Sequence, residues 1–316
     1  MGLTGNRREL TGLEKIGIIK LVMPFAPLSL PELPRMALAI RKEVIRMLAQ
    51  AGSGHPGGSL SEADLLACLF FHLMRHDPAN PSWEERDRFV LSKGHGCPGV
   101  YAAMALSGYF PKEELLTLRK LGSRLQGHPD TRFLPMLEAC TGSLGQGLSI
   151  SCGIALAAKL DRGDHRVYCL MSDGENEEGQ TWEAVAFAGF HGLDRLIAFV
   201  DYNKFQLDGK VADIIDLDPL AKKWESFRWH AQEIDGHDIP KIVQAVQQAQ
   251  AQPGKPHVIL AHTVKGKGVS FMEHNNYFHG VAPTSEEAEA ALKELDGDPS
   301  LSKALIAAGK IKMGGK

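Results

Sequence analysis

An α/β fold with a mainly parallel sheet, covered by helices on both faces, is predicted by two features of this 316-residue chain. Apolar runs of strand length alternate with stretches of helical periodicity, the order expected of strand–helix–strand units. The runs Val167-Tyr168-Cys169-Leu170-Met171 and Leu196-Ile197-Ala198-Phe199-Val200 are apolar throughout rather than at every second position, so both faces of those strands are expected to be buried.

Taken in order, the pattern predicts helices over Pro34–Ala51 and Ser61–Met74, then a strand over Arg88–Ser92. Helices Val100–Leu106 and Pro111–Leu121 and a strand Leu137–Cys140 come next. A helix rich in small residues spans Gly147–Leu160, followed by strand Arg166–Met171, helix Gln180–Phe190 and strand Leu196–Asp201. Helix Leu220–Phe227, strand Ala231–Ile234, helix Ile239–Ala251 and strand Val258–His262 complete the alternation. Thr284-Ser285-Glu286-Glu287 has the form of a capping box and opens a last helix to about Leu295. Beyond Asp296 the chain is rich in Gly, Ala and Lys and reads as a tail.

Composition narrows the class. With 44% apolar and 23% charged residues the chain belongs with soluble globular proteins, and a net charge of −3 gives no sign of nucleic-acid binding. Five cysteines show no paired spacing, which fits a reducing cytoplasm better than a disulfide framework. Near the N-terminus Arg7-Arg8 precede an apolar run, Ile16 to Leu30, that mimics a secretory signal. Glu9, Glu14, Lys20 and two prolines argue against that reading, and the run is too short to span a bilayer. Residues 1–34 are therefore expected to be an arm or extension.

Chemistry enters at Ser172-Asp173-Gly174-Glu175-Asn176 and at Asp201-Tyr202-Asn203-Lys204, each following one of the buried strands. Magnesium prefers hard oxygen ligands and shares them with phosphates, so an Asp, an Asn and a backbone carbonyl suffice. Gly174 lets backbone amides approach a phosphate. An Asp-Gly pair alone is an ordinary acidic turn; the spacing and the matching strand are what distinguish this one. Glu175 and Glu177 sit at a predicted helix start, where the dipole favours acids whatever the function, so a solvated first turn is expected for them. Ligands of a parallel sheet lie beyond the strand C-termini, where these segments fall.

This metal motif resembles that of thiamine-diphosphate enzymes, normally Gly-Asp-Gly with Asn about thirty residues on, with Ser172 here in place of the first glycine. Five further loops resemble the N-terminal half of transketolase, in order, over roughly residues 35 to 285. They are Gly54-His55-Pro56-Gly57-Gly58, Leu91-Ser92-Lys93-Gly94-His95, Gly127-His128-Pro129-Asp130, Thr141-Gly142-Ser143-Leu144-Gly145-Gln146-Gly147 and Phe278-His279-Gly280-Val281-Ala282-Pro283. The other nine histidines match no such loop and are expected to be structural.

The resemblance implies a thiamine-diphosphate-binding fold and the transfer of a two-carbon ketol unit from a ketose phosphate to an aldose phosphate. It implies His55, His95, His128, His279 and Glu178 as catalytic residues, with His128 near the donor's first hydroxyl and His55 near its carbonyl and third hydroxyl. His95 and His279 would also lie at the diphosphate. Asp173, Asn203 and the Phe205 carbonyl would hold Mg2+, with Ca2+ or Mn2+ as substitutes. Gly142, Ser143, Leu144, Gly174, Glu178, Asn203 and Lys265 would contact the cofactor. Glu178 and Glu183 match buried glutamates that link the two active sites of a dimer.

Transketolases of this kind carry a second, pyrimidine-binding domain, with the glutamate that activates the cofactor and the arginines that hold the sugar phosphate. None of its motifs is present. The expected organisation is an arm (1–34), a diphosphate-binding domain (35–283) and a C-terminal helix and tail (284–316), paired with a separate C-terminal subunit in an α2β2 assembly. The alternatives are an alpha-type subunit of another thiamine-diphosphate enzyme, or an inactive cofactor-binding regulatory module.

Overall fold

A computed structural model describes residues 26–312. Within them, β1 (Arg88–Leu91), β2 (Val167–Ser172), β3 (Leu196–Tyr202), β4 (His230–Asp235) and β5 (His257–His262) form one parallel sheet in the spatial order β1-β2-β3-β5-β4. Tyr168, Leu170, Ile197, Phe199 and Ile259 belong to one apolar cluster, and Val167, Cys169, Met171, Ala198, Val200 and Leu260 to another. Successive strand residues point to opposite faces, so a strand covered above and below is apolar at every position. The expected fold class is the one observed.

Helices α1 (Leu33–Ala51), α2 (Pro56–Ser61), α3 (Ala63–Cys68) and α4 (Cys97–Ser107) build the first cluster. Pro34 stands in the first turn of α1, where its missing N–H costs nothing, and Gly52 ends the helix at φ 67. The second cluster takes α5 (Gln146–Leu160) and α6 (Gly179–His191) and, past the short α7 (Val211–Ile214), α8 (Leu220–Ser226). α9 (Ile239–Ala251) returns to the first face, its start fixed by Asp238, which accepts from the Lys241 N–H at 3.2 Å. The expected capping box opens α10 (Ser285–Leu295): Thr284 N–H donates to Glu287 at 2.8 Å and Glu287 N–H donates to the Thr284 hydroxyl at 3.2 Å.

Four details differ from expectation. No strand forms over Leu137–Cys140, which is a bend followed by irregular chain. The helix expected over Pro111–Leu121 is only a 3-10 turn, Lys112–Thr117, because Leu118 leaves the helical region (ψ 128) and Arg119 takes a left-handed φ of 58. The helix expected from Ser61 starts at Pro56, breaks at Glu62 and ends in a π turn, Leu69–Leu73. The tail past Asp296 folds as α11 (Ser300–Ala307), whose Ser302 and Leu305 are buried. Most of the N-terminal arm, residues 1–25, lies outside the described residues. From 26 on the chain packs on its own fold, with Leu28 N–H donating to the Phe71 carbonyl at 2.8 Å. Among the described residues no helix is long and apolar enough to cross a membrane.

Because every strand runs the same way, their C-terminal ends share one edge. Lys93, Asp173, Asn203 and Lys265 all follow strands there, and the register sets Ser172 opposite Asp201.

Candidate active site

Beyond that edge lies a cavity of about 260 Å³ whose lining includes Asp173, Gly174, Asn203 and Phe205. Asp173 is 2% exposed, accepts from the Gly174 N–H at 2.9 Å and from the Lys204 N–H, and forms no ion pair among the described residues. Burial, with the nearby Asp201 carboxylate, pushes its carboxyl up to about 7. A buried acid with a like-charged neighbour is what a bound cation would satisfy. Asn203 donates to Asp201 at 3.2 Å, and its own oxygen accepts from the Phe205 N–H at 3.1 Å. Among the described residues no group of three or more His, Cys, Asp or Glu is placed to hold a metal. A cation on Asp173, Asn203 and the Phe205 carbonyl would thus draw further oxygens from a ligand.

The four singled-out histidines line the same cavity and meet there. His55 lies 5.3 Å from His95, 5.8 Å from His279 and 6.3 Å from His128, ring centre to ring centre, and His95 stacks on His279 at 5.4 Å. His55 precedes Pro56 at the start of α2, and His95 sits in the 3-10 turn that follows β1. Burial lowers the pKa of all four: His55 to about 4, His279 to about 3, His95 well below the ordinary value and His128 below it. Neighbouring cationic groups add to this, Arg119 beside His55 and His128, Lys265 beside His279. At neutral pH these rings are uncharged, and each can donate one proton and accept another.

Lys265 also reaches the cavity. Its ammonium donates to the Phe205 carbonyl at 3.2 Å and the Gln206 carbonyl at 3.3 Å and meets His279, while burial lowers its pKa to about 7. The loop that aims it needs Gly266: φ is 79, and a Cβ there would lie 2.2 Å from the Met272 carbonyl oxygen. Gly142 and Leu144 line the same cavity, but Ser143 between them is exposed and outside the lining. Glu178, at the cap of α6, and Glu183 are exposed and do not line it either.

Several residues were not legible beforehand. Lys93 is fully buried, 2.6 Å from Asp201 and 2.7 Å from Glu62, and donates to the Gly58 carbonyl at 3.1 Å. Burial would raise Asp201, but Lys93, Ser61 and Thr263 more than offset it and hold the carboxylate charged. Glu62, second in line for the same lysine, is pushed up to about 7 by its burial. Glu175 corrects an expectation: instead of a solvated acid it is fully buried, accepting from Ser92, from the Gly145 N–H at 2.6 Å and from the Ser172 N–H at 3.2 Å. The helix dipole favours an acid there, but the loops carrying Ser92 and Gly145 close over it. The Ser172 N–H is thereby engaged, so in this arrangement the position that replaces a glycine serves Glu175.

Comparison with known proteins gives this geometry a family. Residues 34–306 match the family described as transketolase, thiamine diphosphate binding domain. The chain is 50% identical over 265 residues to the 6-deoxy-6-sulfo-D-fructose transketolase subunit SqwG of Clostridium sp. (strain MSTE9), covering 84% of this chain and 96% of that one. It is 41% identical over 269 residues to an apulose-4-phosphate transketolase subunit of Actinobacillus succinogenes, covering 85% and 97%. The crystal structure of transketolase from Campylobacter jejuni superposes with a TM-score of 0.81 at 35% identity, covering 91% of this chain but 46% of that one.

Proposed function

The chain belongs to the transketolase family, and from that premise we propose that it is the thiamine-diphosphate-binding subunit of a two-chain transketolase, moving a two-carbon ketol unit between sugars. The observation that carries this reading is the meeting of four neutral histidines, 5.3 to 6.3 Å from His55, in a cavity that Asp173 and Asn203 also line. Near-complete coverage of two relatives named as subunits, against less than half of a longer transketolase, supports a separate partner chain bearing the pyrimidine domain. An α2β2 complex in the cytoplasm acting on sugar phosphates is the form we assign. The unit doing this work is residues 35–283, with 1–34 an arm and 284–316 a C-terminal extension.

The residues fit the cofactor. Asp173, Asn203 and the Phe205 carbonyl would hold Mg2+, answering the uncompensated charge on Asp173. Lys265, His95 and His279 would face the diphosphate, Gly174 would add a backbone contact, and Gly142, Ser143 and Leu144 would lie along the ring. When bound, thiamine diphosphate supplies the nucleophilic carbon and the electron sink for breaking the bond between the second and third sugar carbons.

The remaining work belongs to the histidines. His55 would donate to the ketose carbonyl oxygen as negative charge develops there and handle the proton of the third hydroxyl, and His128 would hold the first hydroxyl. A neutral imidazole, the state their burial favours, donates one hydrogen bond and can accept another, so each ring can polarise one sugar oxygen while its other nitrogen takes up a proton. Glu178 and Glu183, exposed in the single chain, would be covered by a second copy and couple the two sites.

The test is to tag the chain in its native cell, purify it gently and identify what accompanies it. An equimolar chain with a pyrimidine-binding domain, in a complex that transfers two-carbon units with thiamine diphosphate and Mg2+, is the expected result. A chain that emerges alone, or a complex turning over pyruvate instead of sugars, would overturn it.

A further inference from the structure

The ring of His128 has His55 as a neighbour, 6.3 Å away between ring centres, but among the described residues it makes no hydrogen bond. A Cβ on Gly142 would lie 3.5 Å from its Cδ2, an ordinary packing contact. Where the ring stands is thus decided by the backbone that carries it. That backbone, Gln126-Gly127-His128-Pro129, belongs to no helix or strand, so its carbonyls lack the partners that regular structure supplies and must find others.

Helix α4 supplies them. Cys97 and Tyr101 stand about one turn apart on it, so their buried side chains leave from the same face. The Cys97 thiol donates to the Gly127 carbonyl at 3.2 Å, and the Tyr101 hydroxyl donates to the Gln126 carbonyl at 3.0 Å, shared with the His128 carbonyl at 3.2 Å. One helix face thereby grips three successive carbonyls. The start of α4 is itself seated closely, since a Cβ on Gly96 would come within 2.8 Å of the Glu62 carboxylate and one on Gly99 within 2.4 Å. His95 occupies the 3-10 turn that runs into this helix. The helix therefore sets His128 relative to His95 in the cavity that both line.

We propose that Tyr101, supported by Cys97, is a positioning residue for the two-carbon transfer: it fixes where His128 meets the donor's first hydroxyl. The proposal rests on the transketolase reading above. Tyr101 is fully buried and outside the cavity lining, so it acts through His128 and touches no substrate. Phenylalanine would fill the same core space, and what the hydroxyl adds is the tie to the loop. A misplacement of about 1 Å can slow a reaction about 100-fold, so such a tie bears on rate.

The test is a double-mutant cycle in the assembled two-chain enzyme, with whichever of D-fructose 6-phosphate and 6-deoxy-6-sulfo-D-fructose the wild type turns over as donor. Tyr101→Phe is expected to lower kcat about 3–10-fold with thiamine diphosphate affinity unchanged, the worth of one hydrogen bond. In a His128→Ala background the same substitution is expected to change kcat less than about twofold, because its effect runs through the missing ring. An equal loss in both backgrounds, or no loss beside wild-type His128, overturns the proposal. Should Tyr101→Phe fail to assemble, Cys97→Ala carries the same cycle with a smaller loss, since a thiol is a weak donor. If the wild-type complex turns over neither ketose, the transketolase reading fails instead, and labelling of the complex with diethyl pyrocarbonate, read by peptide mass spectrometry, decides the positioning. Faster modification of His128 in Tyr101→Phe, with His55 at its wild-type rate, supports it. An unchanged rate at His128, or a rise shared by both histidines, overturns it.

Discussion

Two neighbouring residues of β3 are equally buried for opposite reasons. Val200 is 0% exposed and packs in the apolar cluster beneath α5 and α6; Asp201, next in the chain, is also 0% exposed and is held by Lys93, Ser61, Thr263 and Asn203. The same contrast separates the whole sheet interior from the layer at its C-terminal edge. Apolar burial stabilises a fold directly, at roughly 25 cal/mol per Å² removed from water. A buried ion network gains little net stability, because desolvation offsets the attraction. The interior is therefore explained by folding alone, whereas the edge layer is explained by what it positions: Lys93 and Asn203 against the cavity.

The sharpest way to break this comparison is to remove one group from each region. His128→Ala in the assembled enzyme should lower kcat about 10²–10⁴-fold, the usual worth of a positioned proton-transfer group, with thiamine diphosphate still bound and the melting temperature barely moved. Leu170→Ala should do the reverse, costing about 2–5 kcal/mol of stability while the folded fraction keeps its turnover. Single-turnover kinetics and thermal melts on both variants measure this. A His128→Ala protein that melts early and keeps its rate would return that histidine to the structural class.

Next in size is Lys93→Met, which leaves Glu62 and Asp201 buried without their cation. It should cost about 3–5 kcal/mol in urea unfolding, as removing one partner of a buried ion pair does. Adding Glu62→Gln should recover part of the loss, since one of the two stranded carboxylates is gone. Should the double variant be no more stable than Lys93→Met, Glu62 carries no charge that the lysine answers.

These regions also differed in how far the sequence revealed them. The interior was legible because a strand buried on both faces writes itself as an unbroken apolar run, as in Val167–Met171. Asp173, Asn203 and the four histidines were legible because each sits in a short local motif, and the structure gathers them around one cavity. Glu62, Lys93 and Asp201 were not, although Lys93 and Asp201 stood inside the quoted segments. Their meaning is pairwise, and the pairs span 108 residues in one case. Glu175 was misjudged for a related reason: a local rule about helix starts cannot register that Ser92, 83 residues away, closes over the carboxylate.

A smaller effect should separate positioning from mere charge balance within the edge layer. Asp201 accepts from the Asn203 amide at 3.2 Å, which fixes which way that side chain turns its oxygen. Asp201→Asn should weaken Mn2+ binding, followed by electron paramagnetic resonance, about 10–100-fold, as loss of a partner behind a metal ligand does. If affinity holds while stability alone falls, Asp201 serves only to balance Lys93.

The least of the expected effects tests the electrostatics of the histidine cluster through stability and pH. His55 is faced by His95, His128 and His279 and by the cations Arg119 and Lys265, and burial with these neighbours lowers its pKa to about 4. An unfolded histidine takes its proton near 6.5. Well above that value both states are neutral and the residue has no linkage effect. As pH falls from about 6.5 toward about 4, the unfolded chain binds a proton that the folded chain refuses, so stability is lost across that window. Asn cannot titrate, so the melting temperature of His55→Asn relative to wild type should be constant above pH 7 and should rise as pH is lowered to 5. The shift should be only a few degrees, because the ring is partly reached by solvent. A difference that stays flat across the window would mean the cluster admits a proton as readily as water does, and the neutral imidazoles on which the proposed chemistry rests would have to be abandoned.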